Sequence, residues 1–210
     1  MSKGCYKLSH KHKSILNKSV YADYKRYLTK MREDKIVQFV LFETTLAKEQ
    51  FLMQWEQFTR SVNSDQDVTV QQSEKDGTFS YIAQHRFRAG EFQFVFEKAR
   101  RSSKHPEIHI KAEQVGGYSV LQSGRMDDAR GSESKVFAFV TDPRTDLDPY
   151  RKLGDPGNLN IYQPYYENCR YAYILEFFVK TKFATVLLDQ LKQLDVAGTG
   201  IYKECALQLS

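Results

Sequence analysis

Cysteine is scarce in this sequence, and the few residues present are far apart. Three cysteines, Cys5, Cys169 and Cys205, occur in 210 residues. An odd number with no Cys-x-x-Cys pair argues against a disulfide framework, a zinc site or a redox motif. The pattern is typical of a reduced, cytoplasmic protein, and we predict that location.

Long apolar runs are also missing. No stretch approaches the roughly 18 apolar residues that a membrane helix requires, so no membrane partner is expected. The first thirty residues are polar and basic and contain no apolar core of a secretory signal, so none is predicted. The composition, 41% apolar and 27% charged, is that of an ordinary globular protein.

The common motifs of catalysis and cofactor binding are absent from the sequence. It contains no GxxxxGK[ST], GxGxxG, HExxH or GxSxG. His105 and His109, four apart in a predicted strand, would lie about 13 Å apart, which is too far to share one metal ion. We therefore predict no metal and no cofactor, and whether the protein is an enzyme stays open.

Positive charge is concentrated at the start of the chain. Residues 1–35 hold ten Lys or Arg and three Asp or Glu, which gives this segment a net charge of +7. The rest of the chain has a net charge of −2, so the whole protein has a net charge of +5. We interpret residues 1–17 as a flexible basic arm and 18–33 as an amphipathic helix. Cations interleaved with tyrosines can hold nucleic acid through phosphates and bases. The candidate contacts are Lys18, Lys25, Arg26 and Lys30, although the tyrosines lie at core-facing spacing.

Two segments have the pattern of a strand, a helix and a second strand. Residues 36–44 are apolar on both faces, as in a covered strand, and Phe51, Trp55 and Phe58 follow at helical spacing. A second unit comprises strand 171–180, helix 182–195 and strand 200–209. Shifting the chain by 136 positions aligns the two, with Thr45 and Thr181 as matched helix N-caps.

Between these units the sequence predicts consecutive short strands. Their predicted ranges are 67–72, 78–88, 91–97, 107–113, 118–122 and 135–141. Asp76-Gly77 has the residue types of a tight hairpin turn, with positive φ angles. Residues 142–170 contain four of the five prolines and are predicted to be a long turn-rich segment, with one short strand at 159–163.

These elements predict an α+β fold in which helices pack on one face of antiparallel sheet. The order of elements resembles ferredoxin-like α+β sandwiches, in particular dimeric α/β-barrel proteins fused in tandem. The resemblance covers element order only, and no signature residue accompanies it, so it implies no site. We expect an N-terminal half at 18–122, a linker loop at 123–134 and a C-terminal half at 135–210 packed on the first. If the halves do not pair internally, a homodimer is expected.

Four residues are candidates for binding a small ligand. His85 and Tyr81 share one face of a predicted strand, and a histidine on an aromatic face can anchor a ligand or act as a base. Trp55 lies on a helix that is expected to pack against an aromatic sheet face, that of Phe92, Phe94 and Phe96. Glu176 lies among apolar residues, where its pKa would rise unless a cation met it. His85 and Glu176 also have structural interpretations, as a core histidine and as a buried ion pair.

The function predicted best is therefore binding of a small molecule in an aromatic-lined pocket. The alternative is a nucleic-acid or protein interaction module that uses the basic N-terminal helix. The first predicts weak salt dependence of binding, whereas the second predicts affinity that falls steeply with added salt.

Overall fold

The computed structural model describes residues 35–62, 67–88, 91, 110, 112–124, 133–154, 156–166 and 169–206. The predicted arm at 1–17, the helix at 18–33 and most of the predicted strands at 91–97 and 107–113 lie outside these residues. No helix in the described part of the chain is long and apolar enough to cross a bilayer.

Eight strands form the sheet of the described residues. Their bounds are β1 Lys35–Phe42, β2 Asp67–Lys75, β3 Tyr81–Arg88, β4 Gln114–Gln122, β5 Glu133–Val140, β6 Leu159–Pro164, β7 Tyr173–Lys180 and β8 Gly198–Cys205. Three α-helices accompany them: α1 Lys48–Val62, α2 Asp148–Leu153 and α3 Thr181–Leu191. The turn-rich segment 142–170 therefore contains the short helix α2 as well as the strand predicted at 159–163.

The sheet closes on itself as an antiparallel barrel in the order β1-β3-β2-β8-β5-β7-β6-β4. The last link is between β4 and β1, where Val37 pairs with Tyr118 and Val40 with Val115. Closure leaves no open edge, which removes the unpaired backbone groups of an ordinary sheet. The expectation of antiparallel sheet was correct, but closure into one barrel was not predicted.

The helices α1 and α3 pack on the outer face of the barrel, each over a separate apolar cluster. Phe51 and Trp55 of α1 contact Phe42 of β1, with ring centroids 5.0 and 5.2 Å apart. Leu188 and Leu191 of α3 are fully buried against β5, β7 and β8. A one-sided apolar stripe on each helix therefore explains why the barrel wall is buried on both faces.

Both predicted strand–helix–strand units are present, but their proposed alignment is not. The first four strands run β4-β1-β3-β2 around the barrel, and the last four run β8-β5-β7-β6. Equal positions in these two orders pair β1 with β5, whereas a shift of 136 residues pairs β1 with β7. Most strand–helix units share the same pattern of apolar residues. Two such units can therefore be aligned even when their strands occupy different positions in the two groups of four.

The matched N-caps were also wrong. The helix α1 begins at Lys48, three residues beyond Thr45, while Thr181 is the first residue of α3 and Lys180 stands at its N-cap. The Thr44 hydroxyl accepts a hydrogen bond from the Leu46 backbone N–H at 3.2 Å, which makes a local turn before the helix. A threonine therefore shapes the approach to α1 without capping it.

The hairpin between β2 and β3 is longer than predicted. It spans residues 76–80, and Asp76 has a positive φ of 50°. The backbone N–H of Ser73 donates to the Ser80 carbonyl at 2.9 Å and closes the loop. Asp76 tolerates this conformation better than most residues, because its short polar side chain can bond locally.

Candidate functional site

Two phenylalanines identify the interior of the barrel. Phe39 lies on β1 and Phe137 on β5, which are separated by four steps in a closed ring of eight strands. Their ring centroids are nevertheless only 6.5 Å apart. Side chains on opposite strands of a closed barrel can contact each other only across its interior, so both side chains point inward. Cross-strand partners of these residues share the same face, which assigns the other interior positions.

Aromatic rings fill much of that interior. Phe79 contacts Phe139 at 5.2 Å, Phe139 contacts Tyr171 at 4.9 Å, and Phe137 contacts Tyr202 at 5.4 Å between centroids. The first and third of these pairs are edge-to-face, and such pairs add to the stability gained by burying the rings. Among the described residues, aromatic rings are therefore concentrated inside the barrel and under α1.

Polar side chains replace the rings at the end of the interior where β1 begins. We call them the polar end of the barrel. They pair in register with interior positions, as Glu176 does with Phe137, Arg86 with Val37 and Gln84 with Phe39. Among the side chains that the structure describes, the set is Thr69, Gln71, Gln84, Arg86, Lys135, Asn160, Tyr162, Glu176 and Glu204.

Glu176 is the centre of this end and is completely buried. Its Oε2 accepts hydrogen bonds from the Tyr162 hydroxyl at 2.6 Å and from Asn160 Nδ2 at 3.1 Å. Its Oε1 lies 3.4 Å from Lys135 Nζ. Asn160 is itself fixed by the Gly124 backbone N–H, which donates to Asn160 Oδ1 at 2.8 Å.

The pKa of Glu176 is lowered from its ordinary value. Burial alone would raise this pKa, but Lys135, the hydrogen bonds from Tyr162 and Asn160, and the charge of Arg86 together outweigh it. The condition stated from the sequence, that a cation must meet a buried carboxylate, is therefore met by Lys135. At neutral pH Glu176 is an anion held in a dry environment.

Lys135 links the buried carboxylate to the barrel rim. Its Nζ lies 3.4 Å from Glu176 and 3.3 Å from Glu204, whose side chain is 56% exposed. The Lys135 side chain is only 12% exposed. A chain of alternating charges therefore runs from solvent at Glu204 through Lys135 to Glu176 in the interior.

Arg86 acts on the same group from the opposite wall. It lies on β3, four steps around the ring from β7, yet its charge lowers the pKa of Glu176. Burial raises the pKa of Tyr162 well above the usual value, with a further upward contribution from Glu176. Tyr162 is therefore a neutral hydrogen-bond donor to the carboxylate throughout the physiological range.

Two glutamines and a threonine form the neighbouring part of the polar end. Gln71 Nε2 donates to Gln84 Oε1 at 3.0 Å, and the Thr69 hydroxyl donates to the same oxygen at 3.1 Å. Both glutamines are fully buried. Gln71 Oε1 and Gln84 Nε2 have no hydrogen-bond partner among the residues that the structure describes.

The four residues predicted to bind a ligand are divided between the two faces of the wall. His85, Tyr81 and Trp55 come together on the outer face beneath α1, where Trp55 meets His85 at 5.2 Å and Phe51 stacks on Tyr81 at 3.9 Å. Glu176 lies inside the barrel. Alternation along β3 explains the division, since His85 pairs with Gln38 and its neighbour Arg86 pairs with the interior Val37.

His85 is buried by rings and apolar side chains. This burial lowers its pKa to about 4, so the imidazole is neutral at physiological pH. The Tyr81 hydroxyl donates to the Leu46 carbonyl at 3.3 Å. Trp55 Nε1 is buried and has no hydrogen-bond partner within the described ranges. The group has the packing of an apolar core layer with polar atoms at its margins.

Sequence reasoning missed most of the polar end. Lys135 and Phe137 alternate in the strand predicted at 135–141, so a cation on an inward face could have been inferred from the spacing. Asn160 and Tyr162 lie in the strand predicted at 159–163, which had no assigned partner. Arg86 was not among the residues predicted to bind a ligand. The missing signal was closure, which puts all these strands around one interior.

Neither the cysteines nor a metal-binding cluster provides an alternative site among the described residues. Burial raises the pKa of both Cys169 and Cys205, so neither thiol is activated as a nucleophile. Within the described residues no group of three or more His, Cys, Asp or Glu could hold a metal ion. The predicted nucleic-acid contacts Lys18, Lys25, Arg26 and Lys30 lie outside the described residues.

A closed antiparallel barrel with outer helices and a buried charged cluster defines a mixed α+β barrel protein. Among solved structures it is similar to mutant forms of chlorite dismutase from Candidatus Nitrospira defluvii. One has a TM-score of 0.54 and 9% identity, covering 83% of this chain and 93% of that one. A second, in complex with cyanide, gives 0.54 and 9%, covering 83% and 92%. A third gives 0.54 and 10%, covering 88% and 96%.

The likeness shows the fold alone, because the identities are so low. No family model matches the sequence, and no curated protein matches it.

Proposed function

We propose that the protein binds a small polar molecule at the polar end of the barrel interior. The observation that carries this proposal is the buried carboxylate of Glu176, held by Lys135, Tyr162 and Asn160 beside aromatic rings. Eight-stranded barrels are wide enough either to be filled by side chains or to hold one small ligand. Binding sites combine an apolar lining with a few fixed polar groups, which is the composition found here.

The buried charges of the polar end are hard to explain by stability alone. A buried ion pair contributes little net stability, and apolar residues of similar volume are often as good or better. A barrel interior that served only for packing would be expected to use rings throughout, as its other end does. Concentrating Arg86, Lys135 and Glu176 at one end is therefore better explained by a polar guest than by stability.

The comparison with chlorite dismutases supports a fold that accommodates small molecules and does not extend to their reaction. Chlorite chemistry is not proposed for this chain. The nucleic-acid alternative has no support from the fold. A cytoplasmic location and a homodimer remain predictions from the sequence.

We also propose that residues 18–122 and 135–210 are tandem ferredoxin-like halves, joined by the loop at 123–134. The support is the equal strand order of the two sets, β4-β1-β3-β2 and β8-β5-β7-β6. In this arrangement the polar end is built by both halves, since Arg86 comes from the first and Lys135 and Glu176 from the second.

Ligand-observed NMR with a library of small polar aromatic compounds tests the function. We expect compounds whose saturation-transfer signal is lost in Glu176→Gln and retained in His85→Asn. The reverse pattern would place the site in the outer group of His85, Tyr81 and Trp55, which the sequence predicted and which stays a proposal. Signals unaffected by either change would contradict both locations. Circular dichroism at the assay temperature confirms that each variant is folded.

A further inference from the structure

The two buried glutamines of the polar end have one free donor and one free acceptor between them. Gln71 Nε2 and Gln84 Oε1 are used in their mutual hydrogen bond of 3.0 Å. Gln71 Oε1 and Gln84 Nε2 are buried and have no partner among the described residues. Leaving a buried polar atom without a hydrogen bond is unfavourable, so a guest that satisfies both atoms is favoured.

This complementarity does not depend on the orientation of the amides. Rotating both side-chain amides by 180° would reverse the hydrogen bond between them and exchange the roles of Gln71 and Gln84. One NH₂ group and one carbonyl oxygen would still be left over. Thr69 accommodates either orientation, because its hydroxyl both donates and accepts.

Apolar side chains pack on this pair, and the charges that stand near it balance one another. Gln84 pairs in register with Phe39 and Gln71 with Ile82, both of which are fully buried inside the barrel. Two cations, Arg86 and Lys135, stand near two anions, Glu176 and Glu204, and Glu204 pairs in register with Gln71. Lys135 lies 3.4 Å from Glu176 and 3.3 Å from Glu204. A carboxylate or an ammonium group would add an unbalanced charge to this set, whereas a neutral group would not.

We infer that Gln71 and Gln84 recognise a neutral donor–acceptor edge on the guest, of the kind carried by an aromatic carboxamide, a lactam or a nucleobase. The guest's carbonyl accepts from Gln84 Nε2, its N–H donates to Gln71 Oε1, and its ring lies toward Phe39. The inference rests on the proposed function and specifies the substrate class of the same site.

Three matched probes test this inference: benzamide, benzoate and acetophenone. They share a ring, but only benzamide carries both an N–H donor and a neutral acceptor. Titration into ¹⁵N-labelled protein, followed through the side-chain NH₂ signals of glutamine, should give a benzamide Kd at least about tenfold below the other two. Tenfold corresponds to about 1.4 kcal/mol, the scale of one well-made hydrogen bond.

Variants then locate the effect. Gln84→Met keeps the length of the side chain and removes its amide, so benzamide should bind no better than acetophenone. Gln72→Met is the matched control, because Gln72 is the next residue along β2, faces outward and pairs with Tyr81. It should retain the preference for benzamide. If Gln84→Met does not fold, Thr69→Val and the ranking of probes by the wild-type protein still decide the outcome.

The results separate this inference from the proposal beneath it. Equal binding of all three probes, with loss in Glu176→Gln, would overturn the amide preference and leave the site in place. Binding of none would overturn the preference, and the library screen would then judge the function independently. A crystal structure from a benzamide soak showing only water at Gln71 Oε1 and Gln84 Nε2 would also overturn it.

Discussion

The Tyr162 hydroxyl donates to Glu176 Oε2 at 2.6 Å, inside a barrel whose other interior contacts are mostly between rings. The two residues come from neighbouring strands, β6 and β7, and both side chains point inward. A hydrogen bond from a neutral hydroxyl to a buried carboxylate is among the stronger ones in proteins. It fixes the carboxylate while leaving Oε1 facing Lys135.

The first prediction concerns the stability that this carboxylate provides. Glu176→Gln keeps an acceptor for Tyr162 but leaves Lys135 without its buried counterion. Removing one member of a buried pair is strongly destabilising, and because Lys135 is partly exposed and also meets Glu204 we expect a loss of about 2 kcal/mol. Urea unfolding followed by fluorescence measures it.

The matched comparison is an exposed pair. Arg144 Nη2 lies 3.2 Å from Asp142 Oδ2 on the surface, so Asp142→Asn should change the free energy of unfolding by less than about 1 kcal/mol. Adding Lys135→Met to Glu176→Gln should recover much of the loss, since the uncompensated charge is then removed. Equal losses for Glu176→Gln and Asp142→Asn would show that Glu176 is not buried as described.

The second prediction is the response of stability to acid. The folded pKa of Glu176 lies below its unfolded value of 4.5, so the unfolded state binds more protons as pH falls through this window. The stabilisation is complete above about pH 4.5 and is lost as pH falls toward the folded pKa. Wild-type protein should lose stability there more steeply than Glu176→Gln. Parallel curves for the two proteins would contradict the lowered pKa.

Local patterns in the sequence were sufficient for most elements of this fold. Alternation and helical spacing placed β1, β3, β5, β7, α1 and α3 to within a few residues, because these depend on neighbours along the chain. They were insufficient for the closure of the sheet. The pairing of Val37 with Tyr118 joins β1 to a strand some eighty residues away, and nothing in either segment specifies that partner.

The candidate site could likewise be predicted only where it depends on a single strand. Glu176 was recognised because a carboxylate among apolar residues is unusual in one strand. Its partners Lys135, Tyr162 and Arg86 come from three other strands, and each is ordinary in its own segment. His85 and Glu176 seemed to belong together only because both are polar groups on apolar strands. Which face of the wall each occupies depends on register, which the chain acquires through tertiary pairing.

The third prediction uses His85, whose folded pKa of about 4 lies below the unfolded value of 6.5. Between these values the unfolded state takes up a proton that the folded state does not, so stability falls as pH is lowered from 6.5 to 4. The difference corresponds to about 3 kcal/mol across the window. His85→Asn should remove this slope, as measured by urea unfolding at several pH values.

The slope is the informative quantity, since the substitution also alters packing beside Trp55 and shifts the absolute stability. The other four histidines are present in both proteins and cancel in the comparison. An unchanged slope in His85→Asn would mean that His85 is protonated in the folded state, and the outer group would then be open to water.

The last prediction concerns the contact between the β2–β3 hairpin and β8. A Cβ placed on Gly200 would come within 2.4 Å of the Gly77 Cα, which is backbone and cannot rotate away. Gly200→Ala should therefore separate the hairpin from β8 and cost about 1–3 kcal/mol. Gly154→Ala is the control, because its nearest contacts are side-chain atoms of Phe177 at 3.1 and 3.2 Å. We expect a clearly smaller loss there, and thermal unfolding of the two variants side by side measures the difference. Equal midpoints would show that the hairpin does not rest on β8.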